Sequence, residues 1–225
     1  LLWHAGKLFI SHRGKVSVLE NGSVQDIVTG LPSFGDHFNN QLAIGPDGKI
    51  YIGQGTASNS GIVGVDNYAF GWLGKYPEVH DISPYALDLR NANFASLNPL
   101  KLSTEREPLL ARTGPFQPFT VANVEKTTFQ VKANGTILRF NPDGSQLELY
   151  AWGLRNPYGL AWSTDGRLFA ADHGYDERGS RPIANAPDVL WRVEQGAWYG
   201  FPDFAGGVPV TDSRFKPENA PAPTG

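Results

Sequence analysis

Two apolar runs flank an Asp-Gly pair in Leu42-Ala43-Ile44-Gly45-Pro46-Asp47-Gly48-Lys49-Ile50-Tyr51-Ile52-Gly53. The same order returns 118 residues later, in Leu160-Ala161-Trp162-Ser163-Thr164-Asp165-Gly166-Arg167-Leu168-Phe169-Ala170-Ala171. Asp-Gly between two apolar runs is a strong hairpin signal, because a tight primed turn needs positive φ at its centre. Both segments are therefore predicted to be strand pairs of one repeating unit.

Weaker copies of this unit occur at Asp143-Gly144 and at Asn21-Gly22. Repeated strand, turn and strand units favour the blades of a β-propeller over a sandwich, whose strands do not repeat in sequence. We therefore predict an all-β fold, a β-propeller of which this chain covers about three to four blades. Blade pieces are predicted at residues 7–30, 41–55, 135–154, 159–173 and 188–202.

A long segment, at about residues 56–133, lacks the strand alternation and is predicted to be a loop insertion lying over one face. The whole chain, 1–225, is interpreted as a single, partial propeller domain. A blade takes about 40 to 50 residues and a closed ring needs several. The chain has no Met and begins inside an apparent strand, so we interpret it as a processed or excised piece, completed by missing blades or a partner chain.

The charge pattern narrows the kind of partner. The chain has 22 acidic and 19 basic residues without a long block of either sign, which argues against nucleic acid and anionic membranes. No apolar run approaches the roughly 18 residues of a membrane span, and the absence of Cys excludes disulfide and thiolate chemistry. We expect a neutral small molecule as the partner.

Four motifs occur in order along the chain: Gly35-Asp36-His37-Phe38-Asn39-Asn40-Gln41 with the strand that continues it to Tyr51, Gly153-Leu154-Arg155-Asn156-Pro157, Asp172-His173-Gly174 and Gly196-Ala197-Trp198-Tyr199-Gly200-Phe201-Pro202. Their order and approximate spacing resemble those of the soluble glucose/sorbosone dehydrogenases. That family folds as a six-bladed propeller and uses pyrroloquinoline quinone (PQQ) together with calcium, so the resemblance implies both cofactors here.

The resemblance assigns catalytic roles to His37 and Arg155. His37 corresponds to the family's general base, and an imidazole with an ordinary pKa near 6.5 can accept a hydroxyl proton at neutral pH. Arg155 would lie beside the quinone oxygen that gains negative charge. The alternatives are a structural loop histidine and a surface arginine paired with a carboxylate.

The resemblance also implies residues that hold the cofactors. Asp36, Arg155, Asn156 and His173 are expected at the quinone, although Asn156 is also a natural turn cap before a proline. The carbonyl oxygens of Gly174 and Tyr175 are expected to bind calcium, a hard cation that prefers oxygen ligands. Relatives often have Pro where Tyr175 stands, a difference that leaves the carbonyl available.

The implied activity is oxidation of an aldose or sorbosone-like sugar by hydride transfer to PQQ, with an external electron acceptor. The resemblance further implies a periplasmic or secreted location. Two alternatives stay open: a non-catalytic propeller that binds a protein or glycan, and a metal-dependent propeller lactonase. The lactonase would use a transition-metal site drawn from His37, Asp172, His173, Asp176 and Glu177.

Overall fold

The computed structural model describes residues 1–90, 92–101 and 110–224. Their regular structure is almost entirely β, and the longest helix has five residues. None of the helices found in these residues is long and apolar enough to cross a membrane. The strands are β1 (Leu2–His4), β2 (Lys7–His12), β3 (Lys15–Glu20), β4 (Ser23–Thr29), β5 (Asn39–Ile44), β6 (Ile50–Gln54), β7 (Phe94–Leu97), β8 (Leu110–Thr113), β9 (Thr136–Phe140), β10 (Glu148–Trp152), β11 (Pro157–Trp162), β12 (Leu168–Asp172), β13 (Val189–Val193), β14 (Phe204–Ala205) and β15 (Val208–Pro209); the helices are α1 (Val65–Ala69) and α2 (Trp72–Lys75), followed by a 3-10 turn at Ser213–Phe215.

Three antiparallel sheets form the body of the described chain. The first is the meander β1-β2-β3-β4, the second has the order β5-β6-β9-β10, and the third is β11-β12-β13. The all-β prediction is confirmed, and three such sheets side by side are what about three propeller blades present. The two repeated sequence segments form equivalent hairpins, β5-β6 and β11-β12, at the start of successive sheets.

The insertion interrupts a sheet. The chain leaves the second sheet at the end of β6 and returns as β9, which pairs with β6 itself. The predicted blade pieces 41–55 and 135–154 are therefore two halves of one sheet. Within the insertion, the described residues contain α1, α2 and the hairpin β7-β8, so the segment predicted as a loop has secondary structure of its own.

The hairpin turns differ from one another. Asn21 and Gly22 both have positive φ, +49° and +79°, which is the primed two-residue turn that the sequence predicts. At Asp47-Gly48 only the glycine has positive φ, +75°, and the Gly48 amide bonds the carbonyl of Gly45. This loop is one residue longer than the predicted primed turn, a type I turn followed by a left-handed glycine.

The core lies between the sheets, and β6 is buried on both faces. Ile50 and Ile52 pack with Phe9 of β2 in one cluster, whereas Tyr51 packs with Leu160 of β11 in another. Because successive side chains of a strand point to opposite faces, this alternation holds the second sheet between its two neighbours. The resulting contact brings the starts of β5 and β11 together.

Candidate active site

The predicted site residues gather at one end of the second and third sheets. His37 comes just before β5 and Thr56 just after β6, and these positions adjoin because the two strands are antiparallel. Arg155 precedes β11 in the same way. The Thr56 amide donates to the carbonyl of Arg155 at 2.9 Å, so the two sheets contact each other here.

His37 has one ring nitrogen occupied. Its Nδ1 lies 3.1 Å from the carbonyl oxygen of Thr56 and 3.2 Å from the Oγ1 of the same residue. A carbonyl oxygen only accepts, so Nδ1 carries the hydrogen and Nε2 keeps its lone pair. Burial, aided by the positive charge of Arg155, lowers the pKa of His37 to about 3. The ring is therefore neutral at physiological pH and Nε2 is unprotonated, although the lowered pKa makes it a weaker base than the free imidazole assumed from the sequence.

Gly55 separates His37 from Asn156. A Cβ at this position would contact the Cβ of His37 and would come within 2.7 Å of the Asn156 Oδ1. The two side chains therefore lie on either side of this glycine, and any larger residue would push them apart. Sequence reasoning did not single out Gly55.

Arg155 is buried, with 4% of its side chain exposed, and its guanidinium is held in place. Its Nε donates to the carbonyl of Asn59 at 2.9 Å, and its Nη2 to the Oδ1 of Asn59 and to the Oδ2 of Asp176, both at 2.8 Å. Burial lowers the pKa of Arg155, and the neighbouring carboxylate of Asp176 opposes that shift. The Nη1 group makes no hydrogen bond with the described residues. The two N–H donors of Nη1 are thus without an acceptor among these residues.

Asn156 and His173 form a chain of hydrogen bonds with Asn40. The Nδ2 of Asn40 donates to the Oδ1 of Asn156 at 2.7 Å, and the Nδ2 of Asn156 lies 2.9 Å from the Nδ1 of His173. Because Asn156 donates, His173 accepts at Nδ1, and its neutral ring carries a hydrogen on Nε2. The exposed ring of His173 stacks on Tyr158, with centroids 5.3 Å apart.

Asp172 holds the backbone of the Arg155-Asn156 turn. Its carboxylate accepts from the backbone amides of Arg155 and Asn156, the latter at 2.7 Å, and from Trp191 Nε1 at 3.2 Å. Burial outweighs these bonds and raises the pKa of Asp172 to about 6. Sequence reasoning included Asp172 in a family motif and in the rival metal site, but gave it no role in holding the Arg155-Asn156 turn. An Asp that ends a strand opposite an Arg-Asn turn is the sequence signal that could have identified this role.

Asp36 lies beneath the surface. Its side chain is 2% exposed, with Oδ2 bonded to Arg178 at 2.8 Å and Oδ1 bonded to Asn67 at 3.2 Å. Burial raises the pKa of Asp36 to about 6, against the opposing charge of Arg178. Direct contact of this carboxylate with a cofactor stays a prediction, and both of its oxygens have partners within the protein. Arg178 and Asn67 were missed by sequence reasoning.

Gly174 and Tyr175 follow His173 in a tightly packed loop. A Cβ on Gly174 would lie 2.5 Å from the carbonyl oxygen of Pro187, so only glycine fits. Tyr175 is buried, stacks on Phe201, and donates through its hydroxyl to the carbonyl of Phe204 at 2.9 Å. Within the described ranges, neither the Gly174 nor the Tyr175 carbonyl oxygen accepts a hydrogen bond. Their assignment as calcium ligands stays a prediction.

The rival transition-metal site gains no support from this geometry. Among the residues that the structure describes, no three His, Cys, Asp or Glu side chains converge as metal ligands would. His37 and His173 are separated by Asn156, and Asp176 binds Arg155 and Arg178. Asp172 is bonded to backbone amides and to Trp191, so its carboxylate is also occupied by partners within the protein.

Three comparisons with known proteins show what this chain is similar to. Residues 120–223 match the family model described as Glucose / Sorbosone dehydrogenase. The quinoprotein glucose dehydrogenase B of Acinetobacter calcoaceticus is 25% identical over 183 residues, which cover 80% of this chain and 29% of that protein. The predicted resemblance to the glucose/sorbosone dehydrogenase family is confirmed. In length, the chain spans less than a third of the Acinetobacter calcoaceticus protein.

A solved structure is also similar to this chain. It is the PQQ-bound form of an aldose sugar dehydrogenase from Streptomyces coelicolor, 20% identical, with a TM-score of 0.45. The match covers 90% of this chain and 47% of that one. Within the residues matched by the glucose/sorbosone dehydrogenase family model lie Arg155, Asn156, His173, Gly174 and Tyr175, whereas Asp36 and His37 precede them.

Proposed function

We propose that this chain carries part of the active site of a quinoprotein sugar dehydrogenase, which oxidises an aldose or a sorbosone-like substrate. The observation that carries the proposal is the state of His37: its Nδ1 is bonded to the Thr56 carbonyl and its Nε2 lone pair is free. A neutral imidazole in this orientation has the tautomer and the free nitrogen that a general base requires. The family match supports the reaction class.

The residues present fit PQQ and calcium in chemical type. Arg155 offers an unbonded Nη1 donor, and His173 offers an Nε2 hydrogen on an exposed ring that Asn156 orients. Gly174 and Tyr175 offer carbonyl oxygens, which suit calcium. When bound, PQQ would supply the hydride acceptor. Because the chain spans 29% of its curated relative, other contacts to the quinone would come from further blades or a partner chain.

In this proposal each residue has a limited task. His37 accepts the proton of the substrate hydroxyl at Nε2, while Thr56 fixes the ring through Nδ1. The buried guanidinium of Arg155, held by Asn59 and Asp176, presents positive charge where negative charge develops. Since Arg155 is fixed before the reaction, that stabilisation requires little reorganisation. An external electron acceptor and a periplasmic or secreted location belong to the same proposal.

The test is reconstitution of the full-length protein with PQQ and calcium. Bleaching of an electron-accepting dye is followed with a panel of aldoses and sorbosone, and PQQ binding is measured separately by its absorbance. We expect turnover that needs quinone and calcium and that falls by about 10²-fold or more in His37→Gln. The control His4→Gln changes a histidine on β1 and should retain turnover.

Other results would contradict the proposal. PQQ binding without turnover of any sugar, or no PQQ binding at all, would favour a non-catalytic binding module. Hydrolysis of a lactone without quinone, abolished by a transition-metal chelator, would favour the lactonase. Undiminished turnover in His37→Gln would remove the base assignment alone.

A further inference from the structure

One guanidinium joins three carboxylates from three segments of the chain. Arg178 donates from Nη2 to Asp36 at 2.8 Å and from Nη1 to Asp66 at 2.6 Å. It also pairs, at 3.1 Å, with Asp176, which lies two residues earlier in the same loop as Arg178. Asp36 lies next to His37, Asp66 lies on α1 of the insertion, and Asp176 also binds Arg155. Arg178 therefore connects the insertion to both proposed catalytic residues.

The connection is buried where it meets the base. The side chains of Asp36 and Asp66 are 2% and 7% exposed, and that of Arg178 is 24% exposed. Burial alone would lower the pKa of Arg178, but the surrounding carboxylates raise it, so its charge is retained. Buried carboxylates are costly unless they are paired, so removal of this guanidinium leaves Asp36 and Asp66 uncompensated.

The segment that carries His37 is fixed from both sides. The amides of Asp36 and His37 donate to the carbonyls of Ala57 and Thr56, both at 3.0 Å. Asn67 of α1 donates to Asp36 at 3.2 Å and to the carbonyl of Ala57 at 3.1 Å. A movement of the Asp36 side chain would therefore act on the same backbone pairing that sets the ring of His37.

We propose that Arg178 is a positioning residue: by holding Asp36 against Asp66 of the insertion, it fixes the loop that orients the Nε2 of His37. This inference rests on the proposed function of His37 as a base. Arg178 does not contact the proposed base directly, and it acts through Asp36 and the adjoining backbone. The insertion thereby becomes part of the active-site support.

The packing leaves little room for another arrangement. A Cβ on Gly179, whose φ is +79°, would lie 2.6 Å from the Oδ2 of Asp66, so the residue after Arg178 must be glycine for this approach. Gly35, before Asp36, has a φ of +125° and would otherwise collide with Ala57. Two glycines with positive φ thus permit this packing: Gly179 next to Asp66, and Gly35 next to the segment that carries Asp36.

The test compares Arg178→Ala and Arg178→Lys with the control Arg214→Ala in the full-length protein. Arg214 is exposed and pairs with Asp212 two residues away. With PQQ and calcium added, we expect kcat to fall about 10²-fold in Arg178→Ala while KM changes little, because misplacing a base affects the chemical step. Arg178→Lys keeps the charge but not the planar guanidinium, so its kcat should lie between those of Arg178→Ala and the wild type. Arg214→Ala should match the wild type.

A second readout does not depend on activity. Nitrogen NMR of protein with ¹⁵N-labelled histidine reports which ring nitrogen of His37 carries hydrogen, and His37→Gln assigns the signal. We expect the Nδ1-hydrogen form in the wild type and a loss of that preference in Arg178→Ala. If Arg178→Ala does not fold, Arg178→Lys decides: wild-type kcat together with an unchanged His37 signal overturns the proposal. If the wild type shows no turnover, the proposed function fails, and the His37 signal alone decides the role of Arg178.

Discussion

The Nδ1 atom of His37 lies 3.1 Å from the carbonyl oxygen of Thr56, and this one contact sets the tautomer of the ring. Thr56 is also the residue whose amide bonds the carbonyl of Arg155. A single residue just after β6 therefore orients the proposed base and links it to the segment that carries the fixed cation.

The first prediction concerns pH. The pKa of His37 in the folded protein, about 3, lies below its ordinary value of 6.5. As pH falls below 6.5 the unfolded chain binds a proton that the folded chain refuses, so His37 reduces stability progressively toward pH 3. The reduction is at most about 1.4 kcal/mol per pH unit, and less because His37 keeps some exposed surface. The measurement is the free energy of urea unfolding from about pH 4 to about pH 7. Its decrease toward low pH should be less steep in His37→Gln than in the wild type or in His4→Gln. Identical slopes would contradict the prediction.

The second prediction concerns Asp172. Replacement by Ala orphans three buried donors, the amides of Arg155 and Asn156 and the Nε1 of Trp191. We expect a loss of about 3 kcal/mol or more in the free energy of unfolding, since each unsatisfied buried donor costs about 1 to 3 kcal/mol. Asp165→Ala, at an exposed turn, should cost less than about 0.5 kcal/mol. Equal losses in the two variants would show that Asp172 does not organise the site.

The sign of the pH effect at Asp172 is opposite to that at His37. The folded pKa of about 6 lies above the ordinary value of 3.8, so between these pH values the folded protein holds a proton that the unfolded chain releases. Stability from this group is present at low pH and is lost as pH rises through 6. Asp172→Asn keeps the volume and cannot titrate, so its unfolding free energy should lack this decrease.

The sequence allowed the hairpins and the site loops to be predicted because their signals are local. The Asp-Gly turns and apolar runs predict β5-β6 and β11-β12, and motif order places His37, Arg155 and His173 together. An insertion at about residues 56–133 was predicted, but that it divides a single sheet could not be, since β6 and β9 pair across residues whose pattern gives no register. The Arg178 network joins positions 36, 66 and 178, and ion pairs at such separation leave no trace in a single sequence.

The third prediction compares two glycines. In Gly174→Ala the new Cβ would meet backbone oxygens of Pro187 and Ala186, at 2.5 and 2.6 Å, so the loop must shift. We expect a cost of about 1 to 3 kcal/mol in unfolding free energy. We also expect weaker calcium binding, measured by calorimetric titration. Gly74→Ala, in α2, meets nothing within 4 Å and should be neutral or slightly stabilising. Equal stability of the two variants would mean that the loop tolerates the displacement.

The fourth prediction concerns Asn39, which joins the first two sheets. Its Oδ1 accepts from the Gly14 amide and from Ser33, and its Nδ2 donates to Ser11 Oγ at 2.8 Å and to the carbonyls of His12 and Lys15 at 2.9 and 3.2 Å. All of its bonding capacity is thus used at a site that is 8% exposed. We expect Asn39→Ala to cost about 3 kcal/mol or more in unfolding free energy.

Asn39→Asp separates the role of the donor from that of the acceptor. The aspartate keeps the shape and the acceptor toward Gly14, but it places a second acceptor oxygen where Nδ2 donates to Ser11, His12 and Lys15. Two carbonyl oxygens then face a carboxylate, so this variant should be at least as unstable as Asn39→Ala near neutral pH and should recover on acidification, when the carboxyl can donate. Urea unfolding with Asn98→Ala as the control measures both, and an Asn39→Asp protein as stable as the wild type would show that the contact between the sheets does not depend on this amide.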